Sequence, residues 1–290
     1  MNNKILFILL IFVIGCTNLQ ADSGFGSKRG VQMEFNYGFP SQGNRNPIEF
    51  GETISARFLL NNYGSNDVTG TIKISEISGY DISLDEEPVS FNLLGIVEGV
   101  KAKESARFIE FRPFTYQKEA FNSLTAGLIK LELDYMTMTE FSGNICIVSL
   151  TEVSSRGINN CQSTQTLNEN NFKNANLHSV SIEKIEKSYM YQAVGRGMST
   201  VKLDFYLKDY GDASSNINSI VRDFNPELIG ARLIKCNKNE IEFKDKKSRI
   251  SCEFEVATDD QSRNVPLKVT FSYQYKVIKT IEVPFQKEKT

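Results

Sequence analysis

The chain has no tryptophan and one histidine, His178, among 290 residues. A single imidazole closes off several chemistries. A Ser-His or Cys-His catalytic pair would have to use it, and no G-x-S-x-G turn accompanies it. One imidazole cannot assemble a histidine metal site. His178 stands at the start of an alternating run and reads as a surface or capping side chain. The five cysteines include no close C-x2–4-C pair, the spacing zinc sites use. An excess of charge is lacking too: Lys plus Arg number 33 against 35 Asp plus Glu, with a pI near 5.7. Without a basic patch or high pI, no nucleic-acid partner is expected. No N-x-[ST] acceptor for N-glycosylation occurs. Beyond the first sixteen residues, no apolar run reaches the roughly 20 residues a spanning helix needs.

What is present starts at the N-terminus. Lys4 precedes the apolar run Ile5 to Ile14, which stops at Gly15-Cys16. A short positive start, an apolar stretch and a small residue at the cut make an export signal. Val13-Ile14-Gly15-Cys16 resembles a lipobox, which makes residues 1–15 a signal peptide and Cys16 the lipidated first residue of the mature chain; the alternative is a plain signal peptide with Cys16 removed or unmodified. Residues 16–30, with Ser23, Gly24, Gly26, Ser27 and Gly30, suit a flexible tether. The expected location is extracytoplasmic, with the lipid on Cys16 meeting a membrane surface.

Four cysteines remain: Cys146, Cys161, Cys236 and Cys252. They allow three pairings, and spacing favours Cys146–Cys161 with Cys236–Cys252. Each bridge would close a loop of about 15 residues and contribute about 3 kcal/mol by restricting the unfolded chain.

From Val31 onward the dominant period is two. Ile129, Leu131, Leu133 and Tyr135 alternate with Lys130, Glu132 and Asp134. Val201 to Leu207, Ile250 to Val256 and Leu267 to Tyr275 alternate likewise. Side chains in a strand point to opposite faces in turn, so each run has one apolar and one wet face. One-sided strands belong to antiparallel sheets. Turn signals such as Asn61-Asn62-Tyr63-Gly64 and Tyr210-Gly211-Asp212 punctuate them, which predicts β-sandwiches. The segment from Ile182 to Tyr189 is the best helical candidate and reads as well as a strand with an irregular step. Leu228 to Cys236 reads as one strand. The fold class is thus all-β, with a first sandwich over 31–165, a turn-rich linker over 166–176 and a second sandwich over 177–290.

The second half also carries a resemblance. Cys236, Ile250-Ser251-Cys252-Glu253-Phe254-Glu255-Val256, Pro266-Leu267-Lys268-Val269, Tyr273-Gln274-Tyr275 and Ile278-Lys279-Thr280-Ile281-Glu282-Val283 are similar to a module of archaeal exported surface proteins. In the first half, Phe50-Gly51-Glu52-Thr53-Ile54, Leu60-Asn61-Asn62-Tyr63-Gly64 and Asp67-Val68-Thr69-Gly70 resemble the cell-adhesion-related β-sandwich that accompanies it. The resemblance implies two tandem immunoglobulin-like sandwiches. It carries over no catalytic residue.

Remaining clusters read as solvated surface. Asp85-Glu86-Glu87 and Asp259-Asp260 lie in loops without calcium-loop spacing. Gly195-Arg196-Gly197 is too short for a phosphate loop. Lys244, Lys246, Lys247 and Arg249 make a basic hairpin tip, and Phe35, Tyr37 and Phe39 read as core. The expected function is non-enzymatic, with no cofactor and no metal: a surface-anchored adhesion, envelope or assembly component that meets a protein partner or a surface polymer. Carbohydrate binding is the first alternative, and a two-carboxylate hydrolase the second.

Overall fold

Long alternation of apolar and polar residues gives long strands, and the two longest organise the molecule. The computed structural model describes residues 29–35, 49, 51–77, 87–96, 103–115, 126–148, 161, 163–174, 177–190, 198–211, 220–238, 240–257 and 262–284. The expected signal peptide, Cys16 and the tether up to residue 28 lie outside the described residues. So do Asp85, Glu86, Asp259, Asp260, the Gly195–Gly197 turn, Tyr37 and Phe39.

The strands are β1 (Val31–Phe35), β2 (Thr53–Ile54), β3 (Arg57–Asn62), β4 (Val68–Glu76), β5 (Val89–Leu93), β6 (Ala106–Glu110), β7 (Phe114–Thr115) and β8 (Ala126–Ile147). They continue with β9 (Gln165–Asn168), β10 (Val180–Met190), β11 (Met198–Asp209), β12 (Ile220–Leu228), β13 (Ala231–Cys236), β14 (Ile241–Glu242), β15 (Lys247–Ala257) and β16 (Arg263–Pro284). The chain is all-β, and its strand pairs are antiparallel.

β8 and β16 pair along their whole length, from Arg263 opposite Ile147 to Pro284 opposite Ala126. At about 3.4 Å per residue this ribbon is roughly 70 Å long. It is the centre of a six-stranded sheet ordered β14-β12-β16-β8-β4-β5. One half of the ribbon is flanked by β4 and faces the three-stranded sheet β1-β3-β6. There Val31 and Met33 come against Leu133, Tyr275 and Val277. The other half is flanked by β12 and faces the five-stranded sheet β13-β15-β11-β10-β9. Across that interface Phe205 of β11 sits edge-on to Phe224 of β12 at 5.2 Å, and Phe224 stacks on Phe271 of β16 at 6.0 Å. Two sandwich lobes therefore hang on one ribbon, and a single apolar cluster runs through both.

The ribbon reaches across the expected division at 166–176, and that segment itself belongs to the second lobe. β9 pairs with β10 from Lys184–Asn168 to Lys187–Gln165. Phe172 is buried, and its ring fills the space over Gly143, where an added Cβ would lie 2.7 Å from it. The asparagines that suggest a linker turn the chain: the Asn168 N–H donates to Asn171 Oδ1 at 2.8 Å.

Three further expectations are refined. The irregular step in β10 is a register shift between Ile182 and Lys184. The single strand expected from Leu228 to Cys236 breaks at Ile229-Gly230, where Gly230 takes φ 76°, and β12 and β13 enter different sheets. His178 is a correction. It is buried, not a surface residue, because its Nε2 finds Ser65 Oγ at 3.1 Å and its ring meets the Phe141 edge at 5.7 Å.

Candidate functional site

Both cysteine pairs are bridged as spacing favoured. Cys146–Cys161 spans 5.5 Å and Cys236–Cys252 spans 4.1 Å between Cα atoms. The second joins facing positions of β13 and β15, with Cys252 on the core side. Two such bridges belong to an oxidising, extracytoplasmic compartment. No helix among the described residues is long and apolar enough to cross a membrane.

Three regions depart from an ordinary sandwich surface or core. The first is a polar belt inside the waist, where the ribbon passes between lobes. Tyr135 and Tyr275 face each other across the ribbon, ring centroids 5.3 Å apart. The Tyr275 hydroxyl donates to Asp209 Oδ1 at 3.1 Å, and the Gly211 N–H donates to the same oxygen at 2.8 Å. Tyr135 shares a hydrogen bond with Ser179 at 3.2 Å. Burial pushes the Tyr135 and Tyr275 hydroxyls far above their ordinary range and raises the Asp209 carboxyl. Burial, with the Arg29 charge nearby, lowers His178 to about 4, so its ring is neutral at physiological pH. These groups satisfy one another and are closed off from any substrate.

The belt also clamps the end of the expected tether. Gly30 takes φ 59°, and a Cβ there would sit 1.9 Å from Ser179 Oγ. Arg29 donates to Glu169 Oε1 at 2.5 Å and lies 3.8 Å over the Tyr210 ring. The chain is thus fixed to the second lobe just before β1 joins the first.

The second region is a polar groove of about 540 Å³ along β9, β10 and β11, lined by Thr164, Gln165, Thr166, Glu186, Lys187, Ser188 and Asp204. Glu186 and Asp204 face each other in register. Two carboxylates in a groove are the arrangement a glycoside hydrolase needs, but one of them must hold a proton. Here both are held ionised. Hydrogen bonds from Lys184 and then Tyr206 lower Glu186. Burial works to raise Asp204, and Ser251, Arg249 and Lys202 outweigh it. Among the described residues no aromatic side chain lines the groove itself, and Tyr206 reaches its rim by donating to Glu186 Oε2 at 2.7 Å. Among the described residues no group of three His, Cys, Asp or Glu side chains could hold a metal ion. The basic hairpin tip is tied down as well: Lys246 Nζ donates to the Gly211 carbonyl at 2.8 Å, and Arg249 pairs with Asp204 at 2.8 Å.

The third region is apolar and exposed. Of the large apolar side chains exposed among the described residues, Met190, Met198, Ile229, Leu233 and Ile234 gather at the far end and free edge of the second lobe. β13 is the terminal strand of its sheet. It is bulged between Leu233 and Lys235, and the extra residue is Ile234. Sequence reasoning missed this place. The signal was there, since Leu233-Ile234 puts two apolar residues in succession and breaks the period of two.

No family model matches the chain, and no curated protein matches it. Among solved structures, red sea bream transglutaminase aligns with 90% of this chain and 32% of its own, at 11% identity and a TM-score of 0.23. The secreted serine protease VesC from Vibrio cholerae aligns with 90% of this chain and 52% of its own, at 8% identity and a TM-score of 0.22. The chain spans about a third and about half of those two proteins. TM-scores this low carry no argument.

Proposed function

We propose that this chain is a non-enzymatic binding or structural protein of a cell surface, exported, held to a membrane by lipid on Cys16, and joined to another envelope component through the free edge of its second lobe. The observation that carries this reading is the exposed apolar group of Leu233 and Ile234 on a terminal strand with Ile229 in the turn before it. Surface apolar side chains are ordinary when scattered, but a gathered set beside an unpaired edge suits an interaction surface. The paired antiparallel sheets are compatible with the immunoglobulin-like sandwiches that the resemblance implies, which would suit an adhesion, envelope or assembly role. The alternatives have less behind them. A hydrolase would need a protonated carboxyl, whereas both groove carboxylates are held ionised. Carbohydrate binding would be favoured by a stacking ring in the groove, and none lines it among the described residues.

Mass spectrometry of the exported protein, combined with fractionation of the producing cells, tests the reading. The expected result is a chain that begins at acylated Cys16, carries both bridges and sediments with the envelope. Leu233→Ser with Ile234→Ser should weaken its association with other envelope material while the bridges stay intact. An unprocessed chain with free thiols in the cytosol would sink the proposal.

A further inference from the structure

The apolar edge has company that narrows what it meets. Ile229, Leu233 and Ile234 are 56%, 40% and 47% exposed. Over residues 229–238 the only charged side chains are Arg232, Lys235 and Lys238, in a chain whose net charge is −2. The Arg232 and Lys235 side chains are 75% and 65% exposed, and their partners on β15, Glu255 and Glu253, are 33% and 22% exposed. The cations therefore stand outside the carboxylates that neutralise them from behind. The Ile234 bulge and the flanking charges blunt β13 as a template for another strand, which is how natural edges avoid strand pairing. A second copy of the chain in antiparallel register would bring the same cations together. Leu233 shares the inner face with Phe254, and Arg232 and Lys235 share the outer face with Glu255 and Glu253, so an apolar row and a cationic row flank the same edge. Laid edge-on, such a strand fits an anionic lipid surface instead: the apolar groups enter the headgroup boundary and the cations stay at the phosphates.

From this we infer that β13 and the turn before it dock on an anionic membrane surface. The inference rests on the reading of this edge as the contact surface, and it names the partner. The tether permits it. Twelve residues, or thirteen steps along the chain, separate Cys16 from the Arg29 clamp, a reach of at most about 45 Å. The clamp is separated from β13 by up to about 20 Å across the five-stranded sheet and about 30 Å along it, since Leu233 aligns through Phe254 with Val201, so a nearly extended tether covers the direct distance of about 36 Å. A lipid chain alone gives marginal attachment, and a basic, apolar patch is the second signal that makes it stable.

The test uses the full chain carrying Cys16→Ser, so that acylation contributes nothing. Flotation with vesicles of phosphatidylcholine alone is compared with vesicles containing phosphatidylglycerol. Binding is expected only with the anionic lipid, and it should fall several-fold as salt rises. Ile229→Ser/Leu233→Ser/Ile234→Ser should weaken it at least about tenfold, with Ile234→Ser alone as the variant least able to disturb the fold. Arg232→Gln/Lys235→Gln should weaken binding and flatten the salt response. Equal binding to both vesicle types, or full binding by the triple variant, overturns the inference. If no vesicle binds but the edge variants still lose envelope association in the acylated protein, the lipid assignment fails and the broader function stands.

Discussion

The waist and the free edge of the second lobe invert the usual distribution of residues in opposite ways. At the waist, Tyr135, Tyr275, Asp209, Ser179 and His178 are polar groups inside. At the edge, Ile229, Leu233 and Ile234 are apolar groups outside. The difference is satisfaction. The buried groups are hydrogen-bonded, Tyr275 to Asp209, Tyr135 to Ser179 and His178 to Ser65, so their inversion stiffens the junction between lobes. The exposed groups have no apolar cover among the described residues, so theirs looks outward. A buried polar group is thus explained by its partners, and an exposed apolar group by a partner still to be met.

The largest effect expected from breaking this contrast is at the waist. Tyr275→Ala removes a buried ring and strips Asp209 of a donor, which should cost about 4 kcal/mol. Because β8 and β16 run through both lobes, denaturant unfolding should stay a single transition that moves as a whole. A loss confined to one lobe, seen as two transitions, would argue against the shared ribbon.

Acid should act on the same region with a slightly smaller effect. His178 holds its proton less readily in the fold, at about 4 against an ordinary 6.5. Between those values the unfolded chain binds the proton and the folded chain does not. Stability is therefore full above about pH 6.5 and falls by about 3 kcal/mol as pH drops toward 4. Asp209 pulls the other way, because burial raises its carboxyl and the stability linked to it is lost as pH rises. Denaturant midpoints across pH, compared with His178→Gln, separate the two. A slope that survives the substitution would assign it elsewhere.

These regions also show what the sequence could reveal. Alternation at 129–135, 201–207, 250–256 and 267–275 marked four strands, and loop spacing marked both bridges, because those signals are local. The 22-residue extent of β8 was hidden by Thr137 and Thr139, polar residues on the buried face. The segment around Asn168 and Asn171 looked like a linker because turn chemistry is the same whether a chain leaves a domain or folds back onto it. His178 and Asp209 are legible as a pair of buried groups only once residues 65, 135, 179 and 275 are brought together, and such separations leave no local trace. Leu233-Ile234 did leave one, as a break in period, but the same break would mark a doubly buried strand.

The smallest expected effect sharpens the contrast most. Leu233→Ser and Ile234→Ser should change stability by no more than about 0.5 kcal/mol, the range of ordinary surface substitutions. Their neighbour on the inner face, Phe254, is almost fully buried, and truncating it to Ala should cost about 3–5 kcal/mol. Thermal unfolding of these three variants compares residues one strand apart on the same sheet. If Leu233 and Ile234 prove as important to stability as Phe254, the edge belongs to the core and has nothing left over for a partner. If they do not, selection for folding cannot explain why two large apolar side chains stand in water on a blunted strand, and binding is the remaining physical reason to keep them there.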